Sequence, residues 1–189
     1  MRPVQTDRLI LRRWQPRDRV EFARMNADDR TMRFMPAVLS HSETIALIAR
    51  FEAHHETHGF GVWALEALDG GALVGYTGLQ RVSFDAGFSP AVEILWRLAP
   101  EFWRRGYATE AAHEALRFGF ECLSLDRIVS FTVPANEPSR AVMERIGMTH
   151  ERGADFDHPR LPTGHPLSRH VVYTLARDAW FQARERASS

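Results

Sequence analysis

The chain has 189 residues, 44% hydrophobic and 25% charged, with 24 basic and 24 acidic side chains and a formal net charge of zero. That length suits a single domain over 1–189 able to bury its own core, and the charge balance argues against a general nucleic-acid binder while leaving room for a local basic site. Cys122 is the one cysteine, so an intramolecular disulfide is excluded; with no secretory h-region after Met1 and no apolar run of membrane-spanning length, a cytoplasmic protein is the expectation.

The apolar run 8–14 reads as a strand that Pro16 breaks. Asp18 then starts a helix carrying Val20, Phe22, Ala23 and Met25. Residues 26–36 read as an irregular connection. A second amphipathic helix begins around Ser42-Glu43-Thr44, buries Ile45, Ile48 and Phe51, and frays into His54, His55 and His58 before Gly59. Three clustered histidines raise the question of a metal, but no carboxylate or cysteine sits at ligand spacing, and none is assigned. From Phe60 the period becomes extended. Residues 61–68 and 72–82 form a hairpin about a type I′ turn at Asp69-Gly70. Gly75 and Gly78 in the return strand imply a bend or a close approach by another segment. Residues 83–90 are turn-like, and 91–98 form a further strand ended by Pro100.

Residues 107–123 give the clearest helix, with Ala108, Ala111, Ala112, Ala115, Phe118, Gly119 and Cys122 on one face at i, i+3/i+4 spacing; Cys122 is expected as a small buried hydrophobe. A strand over 127–133 stops at Pro134. A short helix opens at Asn136-Glu137-Pro138-Ser139 and closes at Gly147. Residues 148–151 and 170–175 are strands on either side of a long loop holding Pro159, Pro162, Gly164 and Pro166. The polar tail 177–189 is a frayed helix outside a core of about 6–176. The order of elements predicts one α+β domain.

The turn Glu101-Phe102-Trp103-Arg104-Arg105-Gly106 feeds straight into the alanine-rich helix. Converging backbone N–H groups, a positive helix end and a glycine that admits close approach make it an anion site. A capped helix start flanked by solvated arginines would look the same locally.

Three segments together carry a family resemblance: Arg8-Leu9-Ile10-Leu11-Arg12, then Trp103-Arg104-Arg105-Gly106-Tyr107-Ala108-Thr109-Glu110-Ala111, then Asn136-Glu137-Pro138-Ser139 with Gly147-Met148. In this order and separation they resemble the GNAT superfamily of acetyl-CoA-dependent N-acetyltransferases, in particular its ribosomal-protein N-terminal (alanine/serine) acetyltransferase branch. The resemblance implies an acyl-CoA N-acyltransferase fold, with a mixed sheet of about seven strands, strands 4 and 5 splayed, and about four flanking helices. It implies acetyl-CoA as co-substrate, no metal, a primary amine acceptor on a protein N-terminus or small molecule, and a fold that often dimerises. No membrane and no direct nucleic-acid partner are expected.

Within that resemblance the pyrophosphate turn falls on Trp103 to Ala108, with Gly106 and Ala108 matching and Trp103 standing where a polar residue is usual. The implied cofactor-binding set is therefore the amides of Arg104, Arg105, Gly106, Tyr107, Ala108 and Thr109, with the Arg104 and Arg105 side chains as phosphate partners. A bulge in the 91–98 strand is expected to turn the amide of Leu95 or Trp96 toward the thioester carbonyl. Glu93 matches the acidic position from which a carboxylate takes the amine's proton; it could equally be a solvent-facing residue or an Arg97 ion pair. Asn136 is implied to bond the pantetheine arm, with helix capping as its local alternative. Ser139 is implied to lie near the sulfur. The tyrosine that protonates the thiolate in many relatives is replaced by Met143, leaving Ser139, a water or Tyr107 to help, or a thiolate that departs unprotonated. Trp63, Phe84, Phe88, Trp96 and the loop 155–160 could line an acceptor pocket or simply pack in the core. A non-catalytic acyl-CoA-binding sensor on the same fold is the main rival. A phosphate-binding module using Arg12, Arg13, Arg104 and Arg105 is the other.

Overall fold

The computed structural model describes residues 3–188. Among them, six α-helices and nine strands alternate as β1 Val4–Gln5, β2 Leu9–Arg12, α1 Asp18–Asn26, α2 Asp29–Met32, α3 His41–His58, β3 Val62–Ala67, β4 Leu73–Arg81, β5 Val92–Leu98, α4 Tyr107–Arg117, β6 Arg127–Thr132, α5 Glu137–Arg145, β7 Thr149–His150, β8 Phe156–Asp157, β9 Arg169–Ala176 and α6 Arg177–Ser188. Antiparallel and parallel pairs coexist, so the sheet is mixed. The count exceeds the expected seven strands by the two-residue β1 and β8, and α2 occupies a stretch expected to be irregular. No described helix is long and apolar enough to cross a membrane. The chain divides into two compact units, interleaved in sequence: 1–80 with 95–114, and 81–94 with 115–189.

In the first unit β1, β2, β3 and β4 form an antiparallel meander, with Leu11 opposite Leu65 and Ala64 opposite Tyr76. β3 reads Val-Trp-Ala-Leu-Glu-Ala and is buried nearly throughout, as a strand covered on both faces must be. Against it packs α3, whose N-terminus is fixed by a capping box: Ser40 Oγ accepts from Glu43 N–H, and the Glu43 carboxylate accepts from Ser40 N–H, satisfying two otherwise orphaned donors. Thr44, Ile48, Phe51 and His55 recur at helical spacing on the buried face. The helix runs intact through all three histidines to Gly59, left-handed at φ 75°, rather than fraying. The core is an aromatic group of Trp14, Phe22, Phe51 and Tyr76, with centroids 4.5 to 6.0 Å apart. Beside it Arg12 makes a bidentate buried pair with Asp18 at 2.7 Å and a bond to Glu66 at 2.6 Å.

The β3–β4 connection differs from the expected Asp69-Gly70 turn. The left-handed residues are Gly70 and Gly71, and Ala67 N–H donates to Ala72 across the loop at 2.9 Å. The second glycine accepts positive φ without a Cβ clash, so the turn centre moves past the aspartate. The glycines inside β4 are there for close approach: a Cβ on Gly75 would strike the Arg97 carbonyl, and one on Gly78 the Gly61 carbonyl.

In the second unit the N-terminal part of β5 lies parallel to β6, with Glu93 opposite Val129. β9 runs antiparallel to β6 over six register pairs from Arg127–Ala176 to Thr132–Val171, and carries β7 and β8 on its other side. The helix containing α4 continues as a π-helical segment, Phe118–Cys122. Each residue turns through less angle there, so the apolar stripe is rephased. Gly119 and Phe120 go inward, Phe120 meeting Trp180 of α6 at 5.7 Å, and Cys122 is exposed, contrary to its expected burial. The tail predicted to fray is a helix through Ser188 that buries Trp180; Ser189 lies outside the described residues.

Candidate functional site

The turn that the sequence singles out lies in the first unit. A 3-10 turn, Pro100–Phe102, leads into it, and the Trp103 indole N–H donates to the Leu98 carbonyl at 2.8 Å. Trp103 is thus an anchor for the turn, which explains a bulky residue at a position where a polar one was expected. Arg104 (φ 59°) and Gly106 (φ 79°) are both left-handed. A left-handed residue costs a non-glycine about 1–2 kcal/mol, so Arg104 is held there by its surroundings.

Those surroundings are built from the link between β1 and β2. Arg8 donates from Nη1 to the Arg105 carbonyl at 2.8 Å and from Nε to Glu110 at 2.7 Å. Glu110 also accepts from Thr6 Oγ1 at 2.6 Å and from Arg8 N–H at 2.9 Å. Burial alone would raise the Glu110 carboxyl; these bonds from Thr6 and Arg8 outweigh it and hold the group below its ordinary range. The Arg8 guanidinium lies 4.8 Å from the Tyr107 ring centre, and Arg105 lies 5.6 Å from that of Phe102. Arg8, Thr6 and Glu110 are site-building residues that motif reading passed over, although the pairing of Arg8 in the first signature with Glu110 in the second is a signal in the sequence. As a result the amides of Arg104, Arg105, Gly106, Tyr107, Ala108 and Thr109 donate to no protein acceptor among the described residues, while Glu110 N–H closes the first helical bond to Gly106 at 3.0 Å. Six consecutive donors with two left-handed residues among them form a concave anion nest at a helix N-terminus.

Also in this unit, Leu95 and Trp96 are half-buried on β5. The Leu95 carbonyl accepts from Thr77 Oγ1 at 3.0 Å. Arg97 donates to Asn26 Oδ1 at 2.8 Å and lies 5.4 Å from the Tyr76 ring centre. Trp63 is 2% exposed and belongs to the core rather than to a pocket. His54 and His55 are drawn to the Phe60 and Val62 carbonyls at 2.8 and 3.3 Å, which pins the chain reversal after α3. Burial pushes His55 down to about 4.

The second unit holds the remaining candidates. Glu93 is buried at 9% exposure, so the solvent-facing alternative does not hold. Next to it the Ser130 hydroxyl donates to the Ile94 carbonyl at 3.0 Å, tying β5 to β6. Asn136 caps α5: its Oδ1 accepts from Ser139 N–H at 3.3 Å, and its Nδ2 donates to Thr132 Oγ1 at 2.9 Å. The cap role foreseen as an alternative is realised, and it positions Asn136 and half-buried Ser139 together. Ser139 Oγ has no protein partner among the described residues. Met143 is 1% exposed and fills the core beneath α5. A tyrosine that sequence reading did not single out, Tyr173, donates to Glu144 at 3.0 Å and accepts from Arg140 Nε at 3.3 Å.

The loop after β7 is pinned at its start. Asp155 accepts from His150 at 2.9 Å and from Val172 N–H at 3.1 Å. Burial alone would raise its carboxyl, but these bonds prevail and hold it low. Farther along, His158 and His170 sit 5.1 Å apart among phenylalanines, both pushed below their ordinary value chiefly by burial.

Comparison with known proteins gives a consistent result. The acetyltransferase (GNAT) domain family matches residues 8–149. The chain is similar to an FsC-acetyl coenzyme A-N(2)-transacetylase of Aspergillus fumigatus, 31% identical over 67% of this chain, although the match spans only 54% of that protein. It is 25% identical to the uncharacterized N-acetyltransferase YnaD of Bacillus subtilis over 94% of this chain and 98% of that one. The crystal structure of an acetyltransferase from Agrobacterium tumefaciens superposes with a TM-score of 0.76 at 27% identity, covering 93% and 94% of the two chains. That of a ribosomal-protein-S5-alanine acetyltransferase from Vibrio fischeri shares the fold at a TM-score of 0.72 and 15% identity, over 95% and 99%. The α+β fold implied by the three signatures stands.

Proposed function

Because the chain belongs to the GNAT acetyltransferase family, whose members use acetyl-CoA, we propose that it is an N-acetyltransferase moving an acetyl group from acetyl-CoA directly to a primary amine of a protein N-terminus or small molecule. The observation that carries this reading is the run of unspent amides from Arg104 to Thr109. Together with the Arg104 and Arg105 side chains, these amides take the pyrophosphate of CoA, and Asn136 takes an amide of the pantetheine arm with its remaining hydrogen-bonding capacity.

In this mechanism the acceptor arrives as an ammonium ion, with a pKa of roughly 8 to 10. The Glu93 carboxylate removes one proton, directly or through a water. The freed lone pair attacks the thioester carbonyl carbon, and the oxyanion that develops is met by the amide of Leu95 or Trp96. Collapse breaks the carbon–sulfur bond, leaving an N-protonated amide and CoA thiolate. The nitrogen then gives up this second proton, which reaches the thiolate through Ser139, Tyr107 or water, since Met143 cannot relay it. A cytoplasmic location and a homodimer belong to the same reading. Calorimetric titration with acetyl-CoA, followed by thiol release against an amine panel, tests it; absence of acetyl-CoA binding would sink it.

The buried Met143 favours one other reading, a non-catalytic acyl-CoA sensor. Acetyl-CoA binding without thiol release from any amine would select it.

A further inference from the structure

In the second unit, pairing across the sheet fixes which residues share a face. Glu93 pairs with Val129, Phe131 with Val172, and Phe156 with His170. Directly paired residues project to the same side and alternate residues along a strand do likewise. Glu93, Val129, Phe131, Val172, His170 and Phe156 therefore line one face. The opposite face carries Thr132, bonded to the α5 cap at Asn136, and Tyr173, bonded to Glu144 of α5. The Glu93 face is covered instead by the 83–90 loop. Rings meet there: Phe84 of the loop lies 5.7 Å from Phe131 and 4.7 Å from His158, and on the face itself Phe156 meets His170 at 5.5 Å. All five of these rings are half-buried, so each keeps part of its surface open to a further ring. Phe131 lies one pleat, about 7 Å, along β6 from the residue facing Glu93. Burial keeps the two histidines low, so at neutral pH they present uncharged π faces that do not repel an ammonium ion.

We propose that the acceptor carries its primary amine on an aromatic body, which packs among Phe84, Phe131, Phe156 and His158 while the ammonium faces Glu93. This rests on Glu93 being the base of the proposed transfer. A buried carboxylate attracts the ammonium, and ring edges and faces accept a further ring in offset or T-shaped contact. A polyamine or a short aliphatic amine satisfies the first requirement alone. The acceptor class is thus an arylalkylamine or an amine borne by an aromatic amino-acid residue.

The test compares 2-phenylethylamine with n-butylamine, both ammonium ions at neutral pH, by calorimetry on the full chain saturated with CoA, with thiol release from acetyl-CoA measured in parallel. Affinity for 2-phenylethylamine should exceed that for n-butylamine by at least about tenfold, as burying one more apolar ring requires. Phe131→Leu and, on the loop, Phe84→Leu should each weaken the aryl amine about threefold or more while leaving n-butylamine and acetyl-CoA binding unchanged. Circular dichroism confirms that each variant is folded. Equal affinity for the two amines, or an equal loss for both in the folded variants, overturns the inference. Amine affinity is read without turnover and acetyl-CoA binding separately, so a failure of this inference is distinguishable from a failure of the acetyltransferase reading.

Discussion

His55 is 4% exposed on the inner face of α3 and is held down to about 4 by burial, against 6.5 for a free histidine. Above pH 6.5 it is neutral in both folded and unfolded chains and costs nothing. As pH falls, the unfolded chain takes up the proton first, so stability is lost progressively from about 6.5 until the folded group also titrates near 4. That displacement, at about 1.36 kcal/mol per unit, integrates to about 3 kcal/mol. Replacing His55 by Leu removes the titration and also the bond to the Val62 carbonyl. That carbonyl keeps its second donor, Trp14 Nε1 at 3.1 Å, so the substitution should cost only about 1 kcal/mol at pH 8. The two stability curves should therefore cross near pH 6, with the variant the more stable by about 2 kcal/mol at pH 4.5. Urea unfolding followed by circular dichroism between pH 4.5 and 8 measures both curves. A constant gap between wild type and His55→Leu across that range would refute the assignment of a buried neutral imidazole.

Glu93→Gln should lower turnover by about 10²- to 10⁴-fold, the usual worth of a general base, with acetyl-CoA affinity preserved; a pH–rate profile unchanged from wild type would remove Glu93 from that role. Gly106→Val forces a β-branched residue to φ 79° and brings a Cβ within 3.3 Å of Arg8 Nη2, so the KM for acetyl-CoA should rise about tenfold in steady-state assays; an unchanged KM would mean the nest does not hold the phosphates. Asp18→Asn takes the charge from a pair that is 6% and 3% exposed at Arg12 and Asp18. With Glu66 still in place, about 3 kcal/mol should be lost in chemical unfolding, and a loss below about 1 kcal/mol would contradict a coupled buried pair.

Legibility in the sequence follows physical scale. α3, the 107–117 helix and the long strands repeat one apolar period over enough residues to be read directly. The two-residue strands β1 and β8 carry no period; they exist because β2 and β9 offer unpaired edges. α2 is a single turn held by Asp28, whose carboxylate accepts from Arg30 and Thr31 N–H, and one turn has no readable stripe. Cys122 is misplaced by a helical ruler because the π-helical segment rephases the face at Phe118. At the site, the anion turn is legible as glycine next to a helix start, and the cap at Asn136 as a residue type. The Arg8–Glu110 brace is not legible from either segment alone, since its bonds join residues 102 apart in sequence. The burial of Glu93 depends on strand pairing, which no local pattern specifies.

The exposed thiol at Cys122 has a practical consequence. Because these 189 residues hold a single cysteine and it is exposed, a maleimide dye attaches at one defined position without any cysteine being engineered away. Air oxidation likewise has one covalent product between two copies of this chain, the symmetric Cys122–Cys122 dimer. A reducing gel run beside a non-reducing one then tells that adduct apart from any non-covalent pairing.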